Sequence, residues 1–256
     1  MKILTYDIET APKLGWIWDI WNQNIPISML QADGYMLSWS AKWLDEDEVL
    51  FDSLDQYGNH LEDEAHLAKS LHSLIEEADA VITYNGEAFD QKVANTSFLL
   101  AGLTPPSPAK SIDLYRVVKK NFKFTSYKLD FVCQKLGLET KHNHRGFDLW
   151  KGCMEGDKDC WKEMVDYNVQ DVVITEQLYD RLLPWIKGHP SRAIHSTVED
   201  RIICNNCGSD HVVKKGIEYL KKTSYQRYKC QSCGNNMRGN DLLNTVEKRR
   251  SILHNI

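Results

Sequence analysis

The stretch TYDIET, residues 5–10, decides how the rest of the chain is interpreted. From Ile3 to Glu9 the side chains divide between two faces, as expected of a β-strand. One residue separates Asp7 from Glu9, so both carboxylates leave the same face within about 7 Å of each other. Two acids on one face of an apolar strand repel each other and lose hydration unless a cation lies between them. The pair therefore indicates a metal site, although a solvent-facing sheet edge also accommodates two acids.

The segments that follow this strand predict an α/β domain with a mixed sheet flanked by helices. Strands are predicted over 35–43 and 48–54, joined as a hairpin by the acidic turn DEDE, and over 80–84 and 112–114. Helices are predicted over 61–78, 90–101, 128–137 and 161–185, from apolar spacing near 3.6 residues and from Gly or Pro at their ends.

Length and composition fit one large domain with a small module attached. The chain has 256 residues, of which 42% are hydrophobic and 26% charged. We expect a large domain over 1–187, a linker over 188–200, a cysteine module over 201–240 and a tail over 241–256. No run of about 18 apolar residues predicts a membrane span, and the start lacks a signal-peptide pattern. Seven cysteines, four of them in CxxC pairs, favour a reducing compartment, so we expect a cytoplasmic protein.

Charge is distributed unevenly along the chain. Residues 199–256 contain 11 Lys and Arg against 6 Asp and Glu, a net charge of +5, and the total is −5, which leaves −10 on the remainder. A basic segment is typical of proteins that bind a polyanion such as nucleic acid, whereas clustered acids attract divalent cations.

Two further motifs place acids near the predicted sheet. In YNGEAFD, residues 84–90, Asn85 and Gly86 predict a turn, and Asp90 then lies near a helix start as either a ligand or an N-cap. In DYNVQD, residues 166–171, Tyr167 and Asp171 are four residues apart and share one helix face.

Taken in order, D-x-E, N-x-x-x-F-D and Y-x-x-x-D resemble the three exonuclease motifs of the DEDD (DnaQ-like) superfamily. The tyrosine of the third motif is similar to that of its DEDDy branch. YNGEAFD, SIDLYRVVKK and SYKLDFVCQKLG also resemble the proofreading domain of family B DNA polymerases, and the resemblance covers roughly residues 2–186. It implies an RNase H-like fold in a phage-type or bacterial protein, which would place a phage-encoded chain in the host cytoplasm.

The resemblance also implies a site and an activity. Asp7, Glu9, Asp90 and Asp171 would hold two Mg²⁺ or Mn²⁺ ions, and Tyr167 would orient the attacking water. The activity implied is 3′-5′ exonuclease action on nucleic acid, with DNA favoured over RNA, single-stranded or 3′ ends as substrate and a replication or repair protein as a possible partner. A structure-specific endonuclease, and a nucleic-acid-binding protein with a vestigial nuclease fold, remain alternatives.

The cysteine module has the spacing of a structural zinc site, with Cys204 and Cys207 in one CxxC pair and Cys230 and Cys233 in another. The intervening segment interleaves lysine, arginine and tyrosine and is similar to the zinc ribbon of transposases and other nucleic-acid proteins. Such a ribbon can contact phosphates and stack on bases, bind a protein partner, or serve folding alone.

Several other residues are noted without an assigned role. Trp16, Trp18 and Trp21 follow the first motif, and core packing is favoured for them over stacking on unpaired bases. His142 and His144 are expected at the surface. Asp113 is a further acid to which no function is assigned.

Overall fold

The computed structural model describes residues 1–21, 24–57, 63–140, 145–195 and 201–253. Two units make up the chain, Met1–Tyr179 and Asp180–Ile256. The predicted helix start at 61–62, the residues His142 and His144, part of the predicted linker at 196–200 and the end of the tail at 254–256 lie outside the described residues.

The N-terminal unit is organised around a five-stranded mixed sheet. Its strands are β1 (Ile3–Thr10), β4 (Met36–Trp43), β5 (Val49–Ser53), β6 (Ala80–Thr83) and β7 (Lys110–Asp113). The strands β2 (Leu14–Gly15) and β3 (Leu30–Ala32) form a separate short pair. The order across the sheet is β5-β4-β1-β6-β7. β1 pairs antiparallel with β4 and parallel with β6, so the strand carrying the first motif is central.

Among the described residues, the helices that flank this sheet are α1 (Ala65–Glu77), α2 (Asp90–Leu100), α3 (Leu114–Asn121), α4 (Leu129–Leu136), α5 (Phe147–Met154) and α6 (Lys158–Leu182). The predicted α/β class with a mixed sheet is confirmed. α4 ends at Leu136 and is closed by Gly137, as the glycine there predicted, and Gly137 adopts the left-handed conformation (φ 67°).

One predicted strand boundary is wrong. The strand expected over 112–114 ends at Asp113, and Leu114 begins α3. Asp113 causes the change, because its Oδ1 accepts the backbone N–H groups of Tyr115 at 3.0 Å and Arg116 at 3.4 Å as a helix N-cap.

The long helix α6 is fixed to the sheet by polar contacts with β4. Lys42 Nζ lies 2.7 Å from the Glu176 carboxylate, and the two side chains are only 13% and 19% exposed. Ser40 Oγ donates to the carbonyl of Asn168 at 2.6 Å. A half-buried ion pair is screened less by solvent than a surface pair, so these contacts help to fix the position of α6 against β4.

The tryptophans after β1 do not pack in the core, so the favoured expectation for them is wrong. Trp16, Trp18 and Trp21 are 69%, 90% and 80% exposed. β2 and β3 pair antiparallel and hold the two ends of this segment. These apolar side chains are therefore exposed to solvent rather than buried.

The C-terminal unit contains a three-stranded antiparallel sheet. Its strands are β8 (Val212–Tyr219), β9 (Ser224–Cys230) and β10 (Asn236–Leu242), in the order β10-β9-β8, and a short helix α7 (Val246–Ser251) follows. β8 begins after the first CxxC pair, and the second pair starts at Cys230, the last residue of β9, and ends at Cys233 before β10. Across the described ranges, no helix has both the length and the apolar character needed to span a bilayer.

Candidate active site

Three of the four predicted metal ligands meet at the centre of the sheet. Asp7 and Glu9 project from β1, Asp171 projects from α6, and one carboxylate oxygen of each lies within 4.8 Å of the others. Asp171 is only 3% exposed, whereas Asp7 and Glu9 are partly exposed. Residues 162 positions apart in sequence therefore form one cluster of oxygen donors.

Asp90 lies outside this three-residue cluster and is engaged with β1. It is the first residue of α2, and Phe89 rather than Asp90 occupies the N-cap position. The Asp90 Oδ1 accepts the backbone N–H of Ile8, between Asp7 and Glu9, at 3.0 Å. Burial raises the pKa of the Asp90 carboxyl to about 7, the Ile8 N–H opposes this, and the nearby charges of Asp113 and Asp171 add to it.

A tight turn brings Asp90 to this position. Asn85 has φ 70°, a conformation that Asn tolerates better than most residues. A Cβ at Gly86 would lie 2.3 Å from the Thr83 hydroxyl, so the turn requires glycine there. Asp113 fixes the same turn by accepting the N–H groups of Asn85 at 2.9 Å and Glu87 at 3.3 Å. Asp113 therefore has a structural function, which the sequence left unassigned.

Asn168 orients Asp7 and was missed in the sequence. This residue is fully buried, and its Nδ2 donates to Asp7 Oδ2 at 2.8 Å. Its Oδ1 accepts from Ser38 Oγ at 3.1 Å, which fixes the amide orientation. The sequence signal that could have identified Asn168 is its position next to Tyr167 in DYNVQD.

Trp150 is a second missed residue, and it connects Glu9 with Tyr167. Its Nε1 donates to Glu9 Oε2 at 2.9 Å. Its ring meets the Tyr167 ring edge to face, with centroids 5.6 Å apart and planes at 78°. Tyr167 is thereby held on the Glu9 side of the cluster, and no local pattern around Trp150 predicts this contact.

A cleft of about 710 Å³ opens beside the carboxylates. Asp7 and Asp171 line one part of it. The remainder is lined by Tyr84, Asn85, Tyr115 and the segment 125–130. Its size is typical of sites that hold a ligand of several tens of atoms.

The donors of the carboxylate cluster suit a hard divalent cation. All three ligand groups offer oxygen, which Mg²⁺ and Mn²⁺ prefer. Three carboxylates this close repel one another strongly at low solvent exposure, and a cation between them removes that repulsion. Both the chemistry and the spacing therefore fit a metal centre.

The four predicted zinc ligands also meet. The Sγ atoms of Cys204, Cys207, Cys230 and Cys233 lie within 4.8 Å of one another. Cys204 and Cys233 are 3.6 Å apart, and Cys207 and Cys230 are 3.7 Å apart. Tetrahedral zinc with Zn–S bonds of about 2.3 Å requires S···S distances near 3.8 Å. The geometry therefore suits a closed, structural zinc site.

A family model described as RNase_H superfamily matches residues 33–183, more than half of the chain. The chain belongs to the RNase_H superfamily. The matched region includes Asp90, Tyr167 and Asp171 and begins after the strand with Asp7 and Glu9. Nucleases with this fold use divalent metals, in agreement with the oxygen donors gathered here.

Among solved structures, the chain resembles the family B DNA polymerase from the hyperthermophilic archaeon Pyrobaculum calidifontis. The TM-score is 0.54 at 16% identity, over 72% of this chain. The chain spans only 24% of that polymerase, so the likeness concerns the fold of one part of it. No curated protein matches the chain.

We expect Asn168→Ala to lower metal-dependent activity by about 10–100-fold, the usual cost of losing a group that orients a metal ligand. The variant removes the donor to Asp7 Oδ2 and leaves every carboxylate in place. The measurement is cleavage rate against Mg²⁺ concentration, in which half-saturation should move to higher Mg²⁺. Ser38→Ala, which keeps that donor, is the control and should lose much less; an unchanged Mg²⁺ profile in Asn168→Ala would contradict the assigned role.

Proposed function

We propose that the N-terminal unit is a metal-dependent 3′-5′ exonuclease of the DEDDy kind that acts on nucleic acid, with DNA and unpaired 3′ ends favoured. The observation that carries the proposal is the meeting of Asp7, Glu9 and Asp171 within 4.8 Å, on a fold of the RNase_H superfamily. Tyr167 supports it, because it lies one helical turn from Asp171 and is held by Trp150 on the Glu9 side.

In this mechanism Asp7, Glu9 and Asp171 would hold two Mg²⁺ or Mn²⁺ ions, with Asp90 completing the set from the start of α2. Such ions would supply activation of a water and stabilisation of the leaving 3′ oxygen. Asn168 keeps the Asp7 carboxylate in one orientation, and Trp150 does the same for Glu9. The phenol of Tyr167 donates or accepts a hydrogen bond at the attacking water, which aligns it with the phosphorus.

The cleft beside the carboxylates has an aromatic wall that suits an unpaired end. Tyr84 and Tyr115 meet edge to face at 5.9 Å, and Tyr115 and Tyr127 do so at 6.3 Å. Tyr84 Oη donates to the Tyr127 carbonyl at 2.5 Å, which joins the wall to the segment before α4. Stacking on such side chains is a sequence-tolerant way to hold bases of a single strand.

The deciding experiment is cleavage of 5′-labelled and 3′-labelled single-stranded DNA and RNA with Mg²⁺, Mn²⁺ or EDTA. A 5′-label ladder that shortens one nucleotide at a time supports the proposal. Cleavage at discrete internal sites favours the structure-specific endonuclease, and no cleavage in either metal favours a binding protein with a vestigial fold. The compact acid cluster argues against the last alternative, because three mutually repelling acids, one of them buried, destabilise a unit that has no use for a cation.

We further propose that the cysteine cluster holds one structural zinc ion and that the C-terminal unit binds nucleic acid. The Sγ distances support zinc. The net charge of +5 over residues 199–256 supports a polyanionic partner. A replication or repair context is consistent with the likeness to one part of a polymerase.

We expect Tyr167→Phe to reduce kcat by about 10²-fold with little change in the Mg²⁺ requirement, because loss of the hydroxyl misaligns the water but leaves all carboxylates. The phenylalanine ring keeps its packing on Trp150. Single-turnover cleavage measures the change, and Tyr115→Phe in the same cleft is the matched control with near-normal kcat. An unaltered rate for Tyr167→Phe would remove the tyrosine from the mechanism.

A further inference from the structure

A second cleft, of about 920 Å³, lies within the C-terminal unit. Its lining comes from three stretches of that unit: residues 184–189 after α6, residues 202–206 around the first CxxC pair, and residues 235–241 along β10, with Tyr228 of β9. None of the residues proposed for cleavage contributes to it. Because β10 is an edge strand, the cleft follows an open border of the sheet.

The walls of this cleft include flat and apolar surface. Ile186 is 8% exposed and Met237 is partly buried, and both line the cleft beside Tyr228. A Cβ at Gly239 would lie 3.2 Å from Cε2 of Tyr228, so glycine leaves the edge of that ring open. An apolar wall with an accessible aromatic ring can hold a planar, weakly polar group.

Side-chain amides are concentrated in the same lining. Asn235 Nδ2 donates to Asn205 Oδ1 at 2.9 Å, which orients both amides and leaves the Asn205 Nδ2 and the Asn235 Oδ1 for other partners. Asn236 and Asn240 also line the cleft, are exposed, and make no side-chain hydrogen bond to any residue in the described ranges. Amides donate and accept together, which matches the paired donors and acceptors on the edge of a nucleobase.

Basic side chains line the same cleft. Lys187 and Arg238 line the cleft, and Asp241 is the one acid in the lining. Arg238 is paired directly with Arg227 across β9 and β10. Arg238 also contacts the Glu218 carboxylate at 3.5 Å and lies 4.5 Å over the Tyr225 ring, so the repulsion between the two arginines is already partly offset. Its side chain is 48% exposed, so a phosphate can still reach the guanidinium.

We propose that this cleft binds unpaired bases of a single nucleic-acid strand, with the asparagine amides at the base edges and Lys187 and Arg238 at the flanking phosphates. The inference rests on the proposed binding of nucleic acid by the C-terminal unit and deepens it, because it assigns the bases to this cleft. An extended peptide added to the β10 edge is the competing occupant. The strand of nucleic acid is favoured because it uses the amides, the aromatic ring and the cations together.

The test compares binding of two fluorescent single-stranded 12-mers that carry the same phosphate charge, one with bases and one abasic throughout. The full chain is used, with Asp7→Asn in every sample so that no cleavage occurs. Anisotropy titrations across a salt series give the affinity ratio of the two strands and the salt slope. We expect the base-containing strand to bind at least about tenfold more tightly, since stacking contributes about 1–3 kcal/mol per base and 1.4 kcal/mol is tenfold.

Two variant pairs separate base contacts from phosphate contacts. Asn236→Ala with Asn240→Ala should lower the affinity ratio at least about threefold relative to the Asp7→Asn parent while the salt slope is unchanged. The ratio that remains belongs to stacking on the tyrosines of the N-terminal cleft. Lys214→Ala with Lys215→Ala, on exposed positions of β8 away from the lining, should lower the salt slope by about 2 and leave the ratio intact. The isosteric pair Asn236→Asp with Asn240→Asp repeats the first test without loss of side-chain volume, and zinc content confirms that each variant is folded.

Two results would overturn the inference. Equal affinity for the base-containing and abasic strands would exclude base recognition and leave the β10 edge to a peptide. An affinity ratio that neither asparagine pair lowers from the parent value would assign the base preference to another part of the chain. Because all samples are inactive by design, neither result depends on whether the N-terminal unit proves to be an exonuclease.

Discussion

Asp7→Asn is expected to abolish metal-dependent cleavage, with a loss of at least about 10³-fold. Removal of a single preorganised electrostatic group in an active site already costs about 10²–10³ in rate. Asp7 accepts a hydrogen bond from Asn168, lines the cleft and belongs to the three-oxygen cluster. A neutral amide in its place keeps the side-chain volume but removes charge from both proposed ion positions, so binding of the metals and alignment of the phosphodiester should fail together.

Cleavage of labelled single strands over a range of Mn²⁺ and Mg²⁺ concentrations measures this effect, and direct Mn²⁺ binding gives a second readout. Asp166→Asn is the matched control, because Asp166 is an exposed acid on α6 next to Tyr167 and outside the cluster. It should retain nearly full activity and Mn²⁺ binding. Normal metal-dependent cleavage by Asp7→Asn would be incompatible with the assigned centre.

The parts of the site that sequence predicted are those encoded within one element. Asp7 and Glu9 share a face of β1 because strand side chains alternate, and Tyr167 and Asp171 are four residues apart on α6. That β1 and α6 lie side by side was predicted only from the resemblance of the ordered motifs to a known family. Asp171 therefore entered the site by analogy, and the structure brings its carboxylate to the other two.

The contacts that sequence did not predict are long-range ones. Trp150 and Glu9 are 141 residues apart, and Asn168 and Asp7 are 161 apart, so neither hydrogen bond leaves a periodic signal. Trp18 was expected in the core and is exposed, because local composition does not specify what packs against a side chain. The helices α3 and α5 were not predicted. Like α4 they have 8 residues, which gives too few turns for periodicity alone, and α4 was predicted because a glycine closes it.

Cys204→Ser is expected to remove zinc and unfold the sheet of the C-terminal unit, the second large effect. Structural zinc sites contribute about 10–16 kcal/mol of apparent binding free energy, which in small modules is also folding free energy. Most side chains of β8 and β10 are exposed or partly exposed, so this sheet buries little apolar surface of its own. Loss of one thiolate should therefore reduce zinc to well below one equivalent per chain and make the amides of β8–β10 exchange rapidly with solvent.

Zinc content and hydrogen exchange of the full chain provide the measurement, and Cys133→Ala is the control for loss of a thiol. Cys133 is buried in α4 and lies outside the zinc cluster, so this variant should keep its zinc and its slow exchange in β8–β10 while losing stability in the N-terminal unit. The carboxylate cluster belongs to the other unit, so Cys204→Ser should still cleave nucleic acid at high substrate concentration. Its affinity for nucleic acid should fall, and the loss should depend on salt concentration. Retention of a full equivalent of zinc and slow exchange in Cys204→Ser would show that the sheet is held by its own packing, which its exposed faces argue against.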